Sequence, residues 1–200
     1  MKNIVLDIGN VICRWDPQGL SAGVSESPEE QAELISVTIG HSDWLELDKG
    51  TMPLNEAIAN AQQRSTINPD KIAALYHTMP ASLTLIETTV TGMHKAVAAG
   101  VPLYVLSNMH KHSWAHLEST YDVFSLCKGI VVSCNIALAK PDAAIYNHLC
   151  ERFSLQAQDC VFIDDMLENV EAAKACGWHG AQLTDTSKGG ELIENLLSQM

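Results

Sequence analysis

No apolar run in the 200-residue chain approaches the ~20 residues that a membrane span needs. The opening stretch Met1-Lys2-Asn3-Ile4-Val5-Leu6 is cut by Asp7, too early for the apolar core of a secretory signal. Basic residues are scarce: 12 Lys and Arg stand against 24 Asp and Glu, giving a net charge of −12 and a pI near 4.9. With no basic patch to offset it, such a surface repels phosphate backbones and argues against a nucleic-acid binder. The six cysteines (Cys13, Cys127, Cys134, Cys150, Cys160 and Cys176) form no C-x-x-C pair, and several sit inside apolar runs. That pattern reads as buried cytosolic thiols. The chain also lacks internal repeats and low-complexity segments. The expectation is a cytoplasmic, acidic globule with neither nucleic-acid nor membrane partners and no specified oligomeric state.

What is present is an alternation of strands and helices. Hydrophobic residues make up 46% of the chain and charged ones 18%, the balance of a folded protein. A chain of this length buries roughly 70% of its unfolded surface without metal or disulfide staples. Continuous apolar runs at residues 3–6, 101–106, 130–132, 160–163 and 180–183 read as buried strands. Helical patterns separate them: Leu85 to Ala99 before Gly100, Asp142 to Phe153 after Pro141, Leu167 to Cys176 before Gly177, and Gly190 to Met200. Such alternation predicts an α/β fold with a doubly wound parallel sheet, whose ligands bind beyond the carboxyl ends of the strands.

Residues 16–80 break the rhythm with helix signals alone. Ser27-Pro28-Glu29-Glu30 opens one helix; Ser42 to Lys49 forms a second, stopped by Gly50. Leu54, Ala57, Ile58 and Ala61 mark a third, and Asn68-Pro69 starts a fourth carrying Ile72, Leu75, Tyr76 and Met79. The predicted organisation is an α/β core of residues 1–15 and 81–200 with a small helical cap, residues 16–80, inserted after the first strand.

Each of four strands leads into a polar cluster: Asp7-Ile8-Gly9-Asn10-Val11, Ser107-Asn108, Lys140-Pro141, and Asp164-Asp165 with Asn169 one turn on. In a parallel sheet all four meet at one edge. Three carboxylates there repel one another, by about 4 kcal/mol per pair at ~4 Å and an effective dielectric of ~20. A hard divalent cation with oxygen ligands offsets that, and magnesium suits carboxylates that share it with a phosphate. With Ser107, Asn108 and Lys140 as donors, the edge becomes a small positive focus for a phosphoryl group.

Asp7 to Val11, Ser107, Lys140 and Asp164-Asp165, in this order and on these strands, resemble the four motifs of the haloacid dehalogenase (HAD) superfamily. The insert also sits where that superfamily places its first cap. The resemblance implies a Rossmann-like fold and a hydrolase working through an aspartyl-phosphate. Asp7 would be the nucleophile and Lys140 its catalytic partner. Ser107, Asn108 and Lys140 would bind the substrate phosphoryl. Mg²⁺ would be held by Asp7, the Gly9 carbonyl and Asp165, with Asp164 ligating directly or through water. The substrate would be a small phosphorylated metabolite.

One position departs from the pattern. Where the superfamily has a second aspartate as general acid, this chain has Gly9. The carbonyl ligand survives; the proton donor, typically worth ~10²–10⁴-fold, does not. This Asp-x-Gly-Asn-Val form is similar to a bacterial subgroup that includes an α-D-glucose-1-phosphate phosphatase, and an acidic anomeric leaving group suits a missing acid. A sugar phosphate is therefore the expected substrate, with Asp16 as a possible stand-in acid. Two other readings remain: a metal-independent 2-haloacid dehalogenase, which leaves the acidic pair without purpose, and a phosphate-accepting regulatory module.

Other polar and aromatic residues carry less. His110, His112 and His116 lack the Glu of an H-E-x-x-H zinc motif and read as surface or supporting residues, with His110 close enough to Ser107 to touch a substrate. Arg14 is a possible second phosphate contact. Trp44, Asp48 and Lys49 are unranked candidates for substrate selection from the insert.

Overall fold

Strand β1 (Asn3–Leu6) is buried along its whole length. In the computed structural model, which describes all 200 residues, it lies at the centre of a five-stranded sheet. Its neighbours are β2 (Leu103–Ser107) and β4 (Cys160–Asp164), and the edges are β3 (Gly129–Val132) and β5 (His179–Gln182), in the order β3-β2-β1-β4-β5. Every pairing is parallel; Ile4 is opposite Leu103 on one side and Val161 on the other. The two-residue period sends Ile4, Leu6, Val105 and Ile163 into one core, and Val5, Leu106 and Phe162 into a second on the opposite face.

The second core is closed by α8 (Ala143–Phe153) and α9 (Leu167–Ala175) through Ile145, Tyr146, Leu149 and Ala173. The first is closed by α6 (Glu87–Ala98), α7 (Lys111–Thr120) and α10 (Gly189–Leu197). Helices on both faces of a parallel sheet bear out the α/β class. Its chain reversal between β2 and β4, on either side of β1, opens a crevice at the carboxyl edge. No helix is long and apolar enough to cross a membrane.

Between β1 and α6 come α1 (Pro17–Ala22), α2 (Pro28–Val37), α3 (Ser42–Lys49), α4 (Leu54–Gln63) and α5 (Pro69–Ser82). Their apolar residues Leu34, Leu47, Ile72, Leu75 and Met79 are continuous with Ile8 and Ile12 beneath the sheet. Gly50 ends α3 with φ of 73°, and a Cβ there would stand 2.5 Å from the Cys134 carbonyl. Only glycine allows the tip of α3 to rest against the loop after β3.

Two elements differ from the sequence pattern. Helix α1 adds to the four helices that the pattern of residues 16–80 predicts, and it opens on Asp16-Pro17, the same cap-and-proline signal that opens α2. Strand β5, expected as a buried strand, is an edge strand with partly exposed residues, and it starts at His179 rather than Gly180.

Candidate active site

The carboxyl edge of the sheet gathers the four clusters. Asp7 follows β1 directly and is 7% exposed; its backbone N–H donates to the Ile163 carbonyl at 2.9 Å. Ser107 ends β2 and Asp164 ends β4, both buried. Lys140, before α8, buries its ammonium between two carboxylates, 2.8 Å from Asp7 Oδ1 and 2.6 Å from Asp164 Oδ2. Burial pulls the Lys140 pKa down, but Asp7 and Asp164 outweigh it and hold it above its ordinary value. Burial pushes the Asp7 carboxyl up to about 6, against the opposing pull of Lys140.

Neighbouring amides lock these groups. Asn108 accepts from the Lys140 backbone N–H at 2.8 Å and donates to the Lys140 carbonyl at 2.9 Å, so its side chain positions Lys140. Asn169 donates to both Asp164 oxygens at 3.1 Å, and the Met166 N–H donates to Asp164 Oδ1 at 2.8 Å. Asn10, within the first motif, bridges two elements. Its amide nitrogen donates to Asp165 Oδ2 at 3.0 Å, while its oxygen accepts from the Trp15 N–H at 3.0 Å. It does so at φ of 52°, a left-handed turn that asparagine tolerates.

One oxygen from each of Asp7, Asp164 and Asp165 lies within 4.8 Å of the others. Three carboxylates against the Lys140 ammonium leave two uncompensated charges, the charge of one divalent cation. Lys140 Nζ lies close to Asp7 Oδ1 but off the hydrogen-bond direction, leaving that buried oxygen without an aligned donor. The half-buried Asp165 is likewise raised by burial, against the Asn10 hydrogen bond. An oxygen-only donor set carrying this charge fits magnesium. The histidines form no comparable cluster.

A cavity of about 250 Å³ opens above these groups. Trp15, Trp44, Met79, Leu83, Met109 and Met166 supply its apolar wall. Trp44 stacks on Trp15 at 6.0 Å and on Tyr76 at 5.7 Å, and meets His110 edge-on at 5.7 Å. His110 lines the cavity, buried, with its pKa lowered by burial to about 4 and hence neutral. Of the unranked insert residues, Trp44 and Asp48 line the cavity, whereas Lys49 pairs with Glu46 at 3.0 Å. Arg14 is exposed and opens onto a different cleft. Asp16 must be corrected: it is exposed, caps α1 through the Gly19 N–H at 2.9 Å and lies outside the cavity, so it is no stand-in acid.

The chain is 24% identical to the sesquiterpene phosphatase astK of Aspergillus oryzae over 185 residues, covering 92% of this chain and 91% of that one. A protein from Porphyromonas gingivalis described as a predicted HAD-like family hydrolase superposes with a TM-score of 0.74 at 18% identity, covering 100% of this chain and 99% of the other. A HAD family enzyme from Bacteroides thetaiotaomicron, in complex with magnesium and inorganic phosphate, gives 0.69 at 19% identity, covering 91% and 93%. A sequence profile of haloacid dehalogenase-like hydrolases matches residues 1–177, the span that carries Asp7, Ser107, Lys140 and the acidic pair, and the chain belongs to that hydrolase family.

Proposed function

We propose that this hydrolase is a magnesium-dependent phosphatase of small phosphate monoesters, acting through an aspartyl-phosphate. The observation that carries the reading is Lys140 buried between Asp7 and Asp164 beside a third carboxylate. In this reading a carboxylate oxygen of Asp7 attacks phosphorus, forming the acyl phosphate as the bond to the leaving oxygen breaks. Lys140 and the Ser107 hydroxyl hold the transferring group, and Lys140 also fixes Asp7. Asp7, the Gly9 carbonyl and Asp165 would hold magnesium, with Asp164 supporting, and a cation held there would neutralise charge on the phosphoryl oxygens. Asp164 already accepts from Lys140, Met166 and Asn169, so its main service is to orient Lys140. Water then attacks the acyl phosphate and frees Asp7.

The substrate reading has two forms. A sugar phosphate fits the motif, and a sugar presents a C–H face that can pack on Trp44. The apolar wall of Trp15, Trp44 and four further apolar side chains favours a second form, a sesquiterpene phosphate, the class in the name of the fungal relative. The test is an ester panel including glucose 1-phosphate and farnesyl phosphate, with magnesium or EDTA, beside Asp7→Asn. The reading predicts magnesium-dependent release of phosphate that Asp7→Asn abolishes. Hydrolysis of a haloacid that survives EDTA, with every phosphate ester inert, would instead establish the dehalogenase.

A further inference from the structure

Gly9 leaves a gap in the chemistry that crowding does not explain. A Cβ at Gly9 would meet only the Trp15 Cβ, at 3.9 Å, and the backbone there is not in the left-handed region. A Cβ has room there, so the proton donor is absent by composition and not by crowding at that atom, and its work falls to another group facing the same cavity.

The titratable side chains lining that cavity are Asp7, Asp48, His110, Lys140 and Asp165. Asp7 is the nucleophile, Lys140 is fixed between two carboxylates, and Asp165 belongs to the acidic cluster. His110 is buried and neutral, and a neutral imidazole is a poor acid. Asp48 remains. It sits in the last turn of α3, one turn after Trp44, so the two side chains share a helix face turned to the cavity. Its backbone is pinned twice: the Ser133 hydroxyl donates to the Asp48 carbonyl, and Gly50 lies against Cys134. Ser133 is itself fixed by the Met109 N–H at 2.9 Å.

We propose that Asp48, carried by the helical insert, is the general acid that protonates the leaving oxygen in place of the carboxylate missing at Gly9. The assignment rests on the phosphatase reading and completes it. As Asp7 oxygen bonds to phosphorus, the bond from phosphorus to the leaving oxygen breaks, its electron pair stays on that oxygen, and the Asp48 proton moves there to release the alcohol. Asp48, now a carboxylate, takes a proton from water as the water oxygen attacks the acyl phosphate. Inorganic phosphate leaves, Asp7 is regenerated as carboxylate, and Asp48 is again protonated.

Its surroundings suit both halves. Burial raises the Asp48 carboxyl to about 7; the His110 backbone N–H and the Trp44 indole pull it down, Asp7 pushes it up, and Lys140 opposes Asp7. Burial raises the nearby Cys134 thiol, Asp48 adds to that, and Lys111 opposes it. A carboxyl balanced near neutrality can give and take a proton in one cycle.

The experiment compares kcat/KM for an alkyl phosphate and for p-nitrophenyl phosphate, whose leaving group needs no proton, with magnesium present. Asp48→Asn is expected to lose ~10²–10³-fold on the alkyl ester and only a few-fold on the aryl ester, which also reports that the variant is folded. Adding Gly9→Asp to Asp48→Asn should restore most of the alkyl activity. Equal losses on both esters, or an unchanged alkyl rate, overturn the acid role. An aryl activity that Asp7→Asn abolishes would then leave the phosphatase reading standing. Wild-type protein inert on every ester overturns that reading, and this assignment with it.

Discussion

Lys140 holds its ammonium between the Asp7 and Asp164 carboxylates, 2.8 and 2.6 Å away, where almost no water reaches it. Removing one partner of a buried ion pair leaves the other charges uncompensated, at a cost of about 3–5 kcal/mol. Lys140→Met should therefore destabilise the protein by roughly 3 kcal/mol in urea titrations without metal, and by less with magnesium, which supplies positive charge to the same carboxylates. A loss that magnesium does not reduce would place the cation elsewhere. At this scale much was legible in the sequence. Asp7, Ser107, Lys140, Asp164 and Asp165 all follow apolar runs, and a parallel sheet brings such positions to one edge. The roles of Asn10 and Asp48 were not legible, although both residues stand out in the sequence. Their partners lie far along the chain, Asp165 for Asn10 and the His110 and Ser133 region for Asp48, and no local spacing records such contacts.

The helices around the cavity set its protonation states. His110 caps α7, its Nδ1 accepting from the Ser113 N–H, and Ser113 Oγ, the edge of Trp44 and His112 surround its ring. Burial, with repulsion from His112, lowers its pKa from 6.5 to about 4. The unfolded chain takes up a proton near the ordinary value while the folded one resists. This group's contribution is therefore complete above about pH 6.5 and is lost as pH falls through 4, amounting to roughly 3 kcal/mol at most. Urea titrations between pH 4.5 and 7.5 should show His110→Gln with a flatter acid-side decline than wild type; parallel curves would contradict a neutral, buried His110. The elements themselves followed from local signals: Ser27-Pro28 and Asn68-Pro69 open helices, and Gly50 closes α3. The exposure of β5 did not follow, because the sequence of an edge strand does not state that one side lacks a neighbour.

For the whole molecule, the net charge of −12 opposes the approach of any phosphate. Part of that charge is Asp7, Asp164 and Asp165, gathered within 4.8 Å of one another, where the proposed reading would seat a cation. In the proposed reading a phosphate ester would then be drawn in at short range by magnesium and Lys140 against a repulsive long-range field. Screening shortens that field to ~8 Å at physiological salt. Inorganic phosphate should therefore bind the magnesium-loaded protein more tightly as salt rises from about 0.01 to about 0.15 M, by calorimetry; a steep weakening would require a basic approach surface. The direct test of the account is the covalent step at Asp7. Acid-quenched protein, taken during turnover of a phosphate ester with magnesium, should carry one phosphoryl group on the peptide containing Asp7, and Asp7→Asn should neither carry it nor turn over. Turnover with no phosphoryl group on that peptide, and an Asp7→Asn variant as active as wild type, would contradict it.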